Sequence, residues 1–182
     1  MNIHFISPYA YDLRIGDALN RDVARLPDDS WIVHCDQDTL KPPGFAERVQ
    51  RVLQGGIAKN VVLTCMTNRA NPKMECVLKD MYDEGHLGPH LSLARGLWQK
   101  HGTEVVPTEV APGYCMIFHK QHWISLGGWP ASCVSFDTWL SERSTPYLMK
   151  GVYIIHLYRW GNGITQAKRK TQHFLQPGYL LQ

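Results

Sequence analysis

Three observations predict a single α/β domain for this chain. Apolar strands alternate with amphipathic helical stretches, no repeat or linker interrupts the alternation, and the clearest apolar run stops abruptly at two aspartates. At 182 residues and 44% hydrophobic content the chain can bury one proper core, which excludes disorder as its main theme.

Asn2 to Ser7 reads as a first strand closed by Pro8. Ile15, Leu19, Val23 and Leu26 recur at helical spacing before Pro27-Asp28-Asp29-Ser30 turns the chain into the next strand at Trp31, so a β-α-β unit is expected. Pro42-Pro43-Gly44 then starts a helix with Phe45, Val49, Val52 and Leu53 facing inward. Gly55-Gly56 ends it ahead of a strand from Val61 to Cys65. Met74, Val77, Leu78, Met81 and Tyr82 share one helical face, as do Leu91, Ala94, Leu97 and Trp98, and both stripes are read as core packing. Tyr114 to His119 predicts a further strand, followed by a short helix ending at Gly127-Gly128, and Gly151 to Ile155 predicts the last strand.

The most informative stretch is Trp31-Ile32-Val33-His34-Cys35-Asp36-Gln37-Asp38-Thr39. Ligands in open α/β sheets bind just beyond the carboxyl ends of strands, and there Asp36 and Asp38 would sit. Two carboxylates at this spacing can hold a hard divalent cation, and such a cation is most useful when it also grips the oxygens of a diphosphate. A nucleoside-diphosphate compound is the implied substrate.

Composition narrows the rest. No apolar run approaches the roughly 20 residues that span a bilayer, and Met1-Asn2-Ile3-His4 lacks the basic start of a secretion signal, so a cytoplasmic location is expected. Cys35, Cys65, Cys76, Cys115 and Cys133 form no Cys-x-x-Cys pair, which argues against a structural zinc site. The net charge of +3 is too small to argue for nucleic acid, but after Glu142 the chain carries no acid while Arg143, Lys150, Arg159, Lys168, Arg169 and Lys170 follow. Such a segment suits an anionic partner or forms a solvated tail.

Downstream of the aspartates lie Gly127-Gly128-Trp129-Pro130, then Phe136-Asp137-Thr138-Trp139-Leu140-Ser141-Glu142-Arg143, and later Ile154-Ile155-His156. This ordered combination, from about Asn2 to about Trp160, resembles the GT-A glycosyltransferases, most closely glycosyltransferase family two. The resemblance implies a GT-A-type nucleotide-diphospho-sugar transferase fold, a Rossmann-like mixed central sheet flanked by helices. It implies one glycosyltransferase domain over 1–182, with a nucleotide-binding part at 1–65, an acceptor and catalytic part at 66–160 and a basic tail at 161–182.

By the same resemblance, Asp36 would lie near the ribose or a metal-bound water, Asp38 would bind Mn²⁺ or Mg²⁺ directly, and His156 would add a metal ligand or a diphosphate contact. Asp137 would be the catalytic base of an inverting transfer. Pro8, Tyr9, Asp12, Asn20, Gln37, Gly113 and Arg159 would contribute to the donor site, and Gly127, Gly128 and Trp129 to the acceptor site. Phe136-Asp137 stands where family members usually carry Glu-Asp, which leaves one carboxylate in place of two. The chain is short for the fold, so a homo-oligomer or a large acceptor would complete the site.

The partners implied are a nucleotide-diphosphate sugar donor and a hydroxyl acceptor on a glycan, a lipid-linked sugar or, given the basic tail, a modified nucleic acid. Two other functions fit an α/β sheet with paired acids. A nucleotidyltransferase would act on a nucleoside triphosphate but usually carries a glycine-rich, basic loop after the first strand, and Ser7-Pro8-Tyr9-Ala10-Tyr11 is neither. A non-catalytic carbohydrate- or nucleic-acid-binding module would have little reason to keep Asp36, Asp38 and Asp137.

Overall fold

The computed structural model describes residues 1–8, 14–70, 74–81 and 84–157. Tyr9, Asp12, Tyr82, Arg159 and the basic tail at 161–182 lie outside the described residues.

The expected β-α-β unit opens the chain. Strand β1 (Asn2–Ile6) pairs in parallel with β2 (Ser30–Cys35), and helix α1 (Ile15–Ala24) connects them, burying Leu19 and Val23. A two-residue strand β3 (Thr39–Leu40) follows, then helix α2 (Phe45–Gln54), which buries Phe45, Val49, Val52 and Leu53 as its spacing predicts. Strand β4 (Val61–Thr67), helix α3 (Leu87–His101), β5 (Val105–Pro107) and β6 (Cys115–His119) come next. Helices α4 (Lys120–Ser125) and α5 (Phe136–Ser141) and the long strand β7 (Thr145–His156) complete the order.

The seven strands form one mixed sheet in the order β1-β2-β6-β4-β7-β3, with β5 also paired to β7. Strand β6 is antiparallel to both β2 and β4, while β4 and β7 run parallel. The carboxyl ends of β1, β2, β4 and β7 and the amino end of β6 therefore share one rim.

Both faces of the sheet are covered, which is why β2 is apolar without alternation. Trp31, Val33 and Cys35 face the core that includes α2 and Ala94 of α3, whereas Ile32 faces Leu19, Val23, Phe118, Trp129 and Leu140 on the other side. No helix among the described residues is long and apolar enough to cross a membrane.

Two expectations are corrected. The apolar stripe from Met74 to Tyr82 forms no α-helix among its described residues: only Lys79–Met81 makes a single 3-10 turn. The end of β4 captures this segment, with Thr67 N–H donating to Cys76 O and Leu78 N–H to Thr67 O, both at 2.8 Å. Cys76 and Val77 are still buried, so the stripe marks burial without helical geometry. Helix α3 begins at Leu87, and of its predicted inward face Ala94 alone is buried; Leu97 and Trp98 are partly buried against the core, and the other buried residue of the helix is His90.

Strand β7 is longer than the predicted Gly151–Ile155 piece because it is kinked. Opposite Cys65 stands Met149, but opposite Met66 stands Tyr153. Gly151 lies in this slip, where an added Cβ would come 2.1 Å from the carbonyl oxygen of Gly102. A backbone oxygen cannot swing away as a side chain can, so Gly151→Ala should destabilise the fold by about 3 kcal/mol, the upper range for overpacking. Urea unfolding checks this, and an unchanged midpoint would show that the kink is soft.

His90, fully buried, donates from Nε2 to Glu84 O at 3.2 Å and accepts the Tyr153 hydroxyl at Nδ1 over 2.7 Å. Burial holds its pKa below the ordinary 6.5, and His119 and His122 are lowered for the same leading reason. The unfolded chain then takes up these protons first as pH falls. Stability is full above about pH 6.5 and declines with acidification until the folded-state histidines also titrate. His90→Gln should flatten this decline in a pH series of denaturation curves, and an unaltered slope would assign it to other groups.

Candidate metal and diphosphate site

The aspartates occupy a four-residue turn that the sequence builds locally. Asp36 O accepts both the Thr39 N–H at 3.3 Å and the Thr39 hydroxyl at 2.7 Å, so the chain reverses just past β2. Strand β3 then pairs Thr39 with His156 at the carboxyl end of β7, and Leu157 N–H donates to Asp38 O at 2.8 Å. This pairing brings residues 117 positions apart in sequence side by side. One ligand atom from each of Asp36, Asp38 and His156 lies within 4.8 Å of the others.

His156 is set with unusual definition. Its backbone N–H donates to Asn68 Oδ1 at 2.8 Å, and its ring lies 5.2 Å from that of Tyr114. Its Nδ1 sits 2.7 Å from the carbonyl oxygen of Arg69. A carbonyl only accepts, so Nδ1 carries a proton, and in the neutral ring Nε2 presents a lone pair. That lone pair faces Asp38 Oδ1 across 3.3 Å. Two acceptors at this distance require something positive between them, either a proton or a cation. The His156 ring beside Asp38 holds its carboxyl below the usual carboxylate range, so Asp38 is anionic at neutral pH.

Asp137 reaches the same rim from helix α5. Its Oδ2 accepts the Gly113 N–H at 3.1 Å and its Oδ1 the Thr138 N–H at 2.8 Å. Gly113 leads into β6, whose Cys115 pairs with Cys35 of β2, and Asp36 N–H donates to Tyr114 O at 3.2 Å. Phe136 closes onto Gly113 so tightly that a Cβ there would meet its ring at 2.8 Å, which explains the glycine as packing against the neighbouring helix. The same ring meets His34 edge-on at 5.4 Å. The Phe136 ring therefore packs against both Gly113 and His34.

Of the other predicted residues, Pro8 and Gln37 are at the same rim, Pro8 buried and Gln37 exposed. Asn20 is engaged elsewhere. Its Oδ1 accepts the Trp129 N–H at 2.9 Å and the Trp123 indole N–H at 3.1 Å, while its Nδ2 donates to Trp129 O at 2.8 Å. Gly128 has φ +75°, and a Cβ on it would meet Asn20 Oδ1 at 2.8 Å. Trp129 is 3% exposed and donates its indole N–H to Phe136 O at 2.9 Å. Asn20 and Trp129 thus brace the turn that carries Asp137.

Asn68, Arg69, His34 and Tyr114 were not anticipated. Asn68 and Arg69 follow β4 as Asp36 follows β2, so the strand-end rule that selects the aspartates would have selected them too once the strand is carried on to Thr67.

By fold and side chains the chain is an α/β protein with an acid-histidine cluster where strands of a mixed sheet end. No family model matches the sequence, and no curated protein does.

Proposed function

We propose that the chain is a divalent-cation-dependent glycosyltransferase of the GT-A type, moving a sugar from a nucleoside-diphosphate donor to an acceptor hydroxyl with inversion. The observation that carries the reading is the opposed pair Asp38 Oδ1 and His156 Nε2, with Asp36 beside them at the strand ends. Oxygen and imidazole donors together suit Mn²⁺, and oxygen donors alone also suit Mg²⁺.

When bound, such a cation neutralises the charge that develops on a departing diphosphate. The chain's own residues account for the rest. Asp38 and His156 hold the cation, and the Arg69 carbonyl keeps the His156 tautomer that can do so. Asp36, partly exposed at the start of the turn, is the third side chain whose oxygen lies within reach of that cation. Asp137 takes the proton of the acceptor hydroxyl as the new bond forms. Its two backbone hydrogen bonds use one acceptor site on each oxygen and leave others for that proton.

Thermal shift with nucleoside mono-, di- and triphosphates, each with and without Mn²⁺, tests the reading. Diphosphates should raise the melting temperature further when Mn²⁺ is present than when it is absent, by mass action on the folded state. A response confined to triphosphates would move the reading to nucleotidyl transfer, and no cation response at any pH would remove it.

A further inference from the structure

The imidazole of His34 is 1% exposed, and neither Nδ1 nor Nε2 has a hydrogen-bond partner among the described residues. It is the penultimate residue of β2, opposite Ile6 on β1 and Met116 on β6, with the Phe136 ring edge-on against it. Every neighbour named so far is apolar. A phenylalanine or leucine would fill this place without the desolvation cost of two unmet polar atoms, so packing does not explain a histidine here.

Among the described residues, Asp36 brings a polar group within reach. Nε2 lies 3.3 Å from Asp36 Oδ1, close enough for a hydrogen bond in distance but not aligned for one. The Asp36 side chain is 37% exposed and can turn, whereas the His34 ring is walled in. A rotation of the carboxylate alone would bring Oδ1 onto an Nε2–H.

We propose that His34 is a positioning residue for Asp36: with its proton on Nε2 it captures Oδ1 when a divalent cation enters, and so presents Oδ2 to the cation. The proposal rests on the cation-site reading above and goes beyond it, since it assigns the two oxygens of Asp36 different tasks. Hydrogen bonds of this kind to a metal-binding group fix its orientation, and their loss typically costs about 10- to 100-fold in metal affinity. The Phe136 ring packs edge-on against the imidazole and keeps it in place while the carboxylate turns.

The test compares two variants by titration calorimetry with MnCl₂, without nucleotide or acceptor. His34→Phe keeps the ring and its contact with Phe136 but has no N–H, and should bind Mn²⁺ about tenfold more weakly or worse while melting no lower than the wild type. His34→Gln restores an N–H donor at similar reach and should return affinity to within about threefold of wild type. Equal binding by His34→Phe overturns the proposal alone, and so does a His34→Gln variant as weak as His34→Phe, since the loss would then come from packing. A wild-type chain that binds no Mn²⁺ overturns the cation-site reading with it. The unsubstituted protein gives an independent measurement should His34→Phe fail to fold. With ¹⁵N-labelled histidine and Cd²⁺ as a diamagnetic substitute, the His34 Nε2–H should pass into slow solvent exchange on saturation. An Nε2 proton unchanged by Cd²⁺ overturns the proposal.

Discussion

Asp38→Ala should abolish Mn²⁺-dependent nucleotide binding and sugar transfer while leaving the fold intact. The separation follows from how Asp38 is built in. Its carbonyl, not its carboxylate, accepts the Leu157 N–H that pins the turn to β7, and the turn itself is closed by Thr39 on Asp36 O. The carboxylate is 48% exposed, so its pairing with His156 contributes little to stability in water. Removing it takes from the site the carboxylate that faces His156 Nε2. Calorimetry should show metal-free nucleotide binding retained and the Mn²⁺-dependent increment gone. Retention of that increment in a folded Asp38→Ala protein would remove the argument for a cation between Asp38 and His156.

The parts of this site that the sequence reveals are those set by local pattern. An apolar run ending in Asp-x-Asp is visible because β2 is buried on both faces and stops at the rim, and the four inward residues of α2 are visible because one helix turn repeats them. The meeting of Asp38 with His156 is not local. It depends on β3, two residues long, whose strand character comes wholly from pairing with β7. The kink at Gly151 hides β7 in the same way, splitting one twelve-residue strand into a partly buried piece before it and a fully buried piece after it. Gly127-Gly128-Trp129 shows the opposite limit. Its residue types suit a sugar site, yet Asn20 draws the segment inward, and nothing in spacing distinguishes a buried tryptophan that holds a turn from an exposed one that stacks on a sugar. His34 went unread because a histidine inside an apolar run resembles core filling until its missing partners are seen.

Asp137→Asn should lower turnover by roughly 10²-fold or more with donor affinity preserved, since the amide cannot accept the acceptor's proton. The substitution is not silent for the helix. Both carboxylate oxygens accept a backbone N–H, from Gly113 and from Thr138, and an amide can offer its single oxygen to only one of them. Its NH₂ would then face the other N–H, donor against donor, at a cost of about 1–3 kcal/mol for the hydrogen bond lost. A modest fall in melting temperature is therefore expected from Asp137→Asn whatever its role, and stability alone says nothing about catalysis. Donor affinity is the discriminating control. If Asp137 serves only to dock α5 on β6, loosening it displaces Phe136, which packs against Gly113 and His34, and donor binding and turnover should decline together. If it is the base, turnover alone collapses while Mn²⁺-dependent diphosphate binding stays within a few-fold of wild type. Near-normal turnover would move the base to another carboxylate, with Glu142, exposed one helical turn further on and paired with Arg143 at 3.3 Å, the next to substitute.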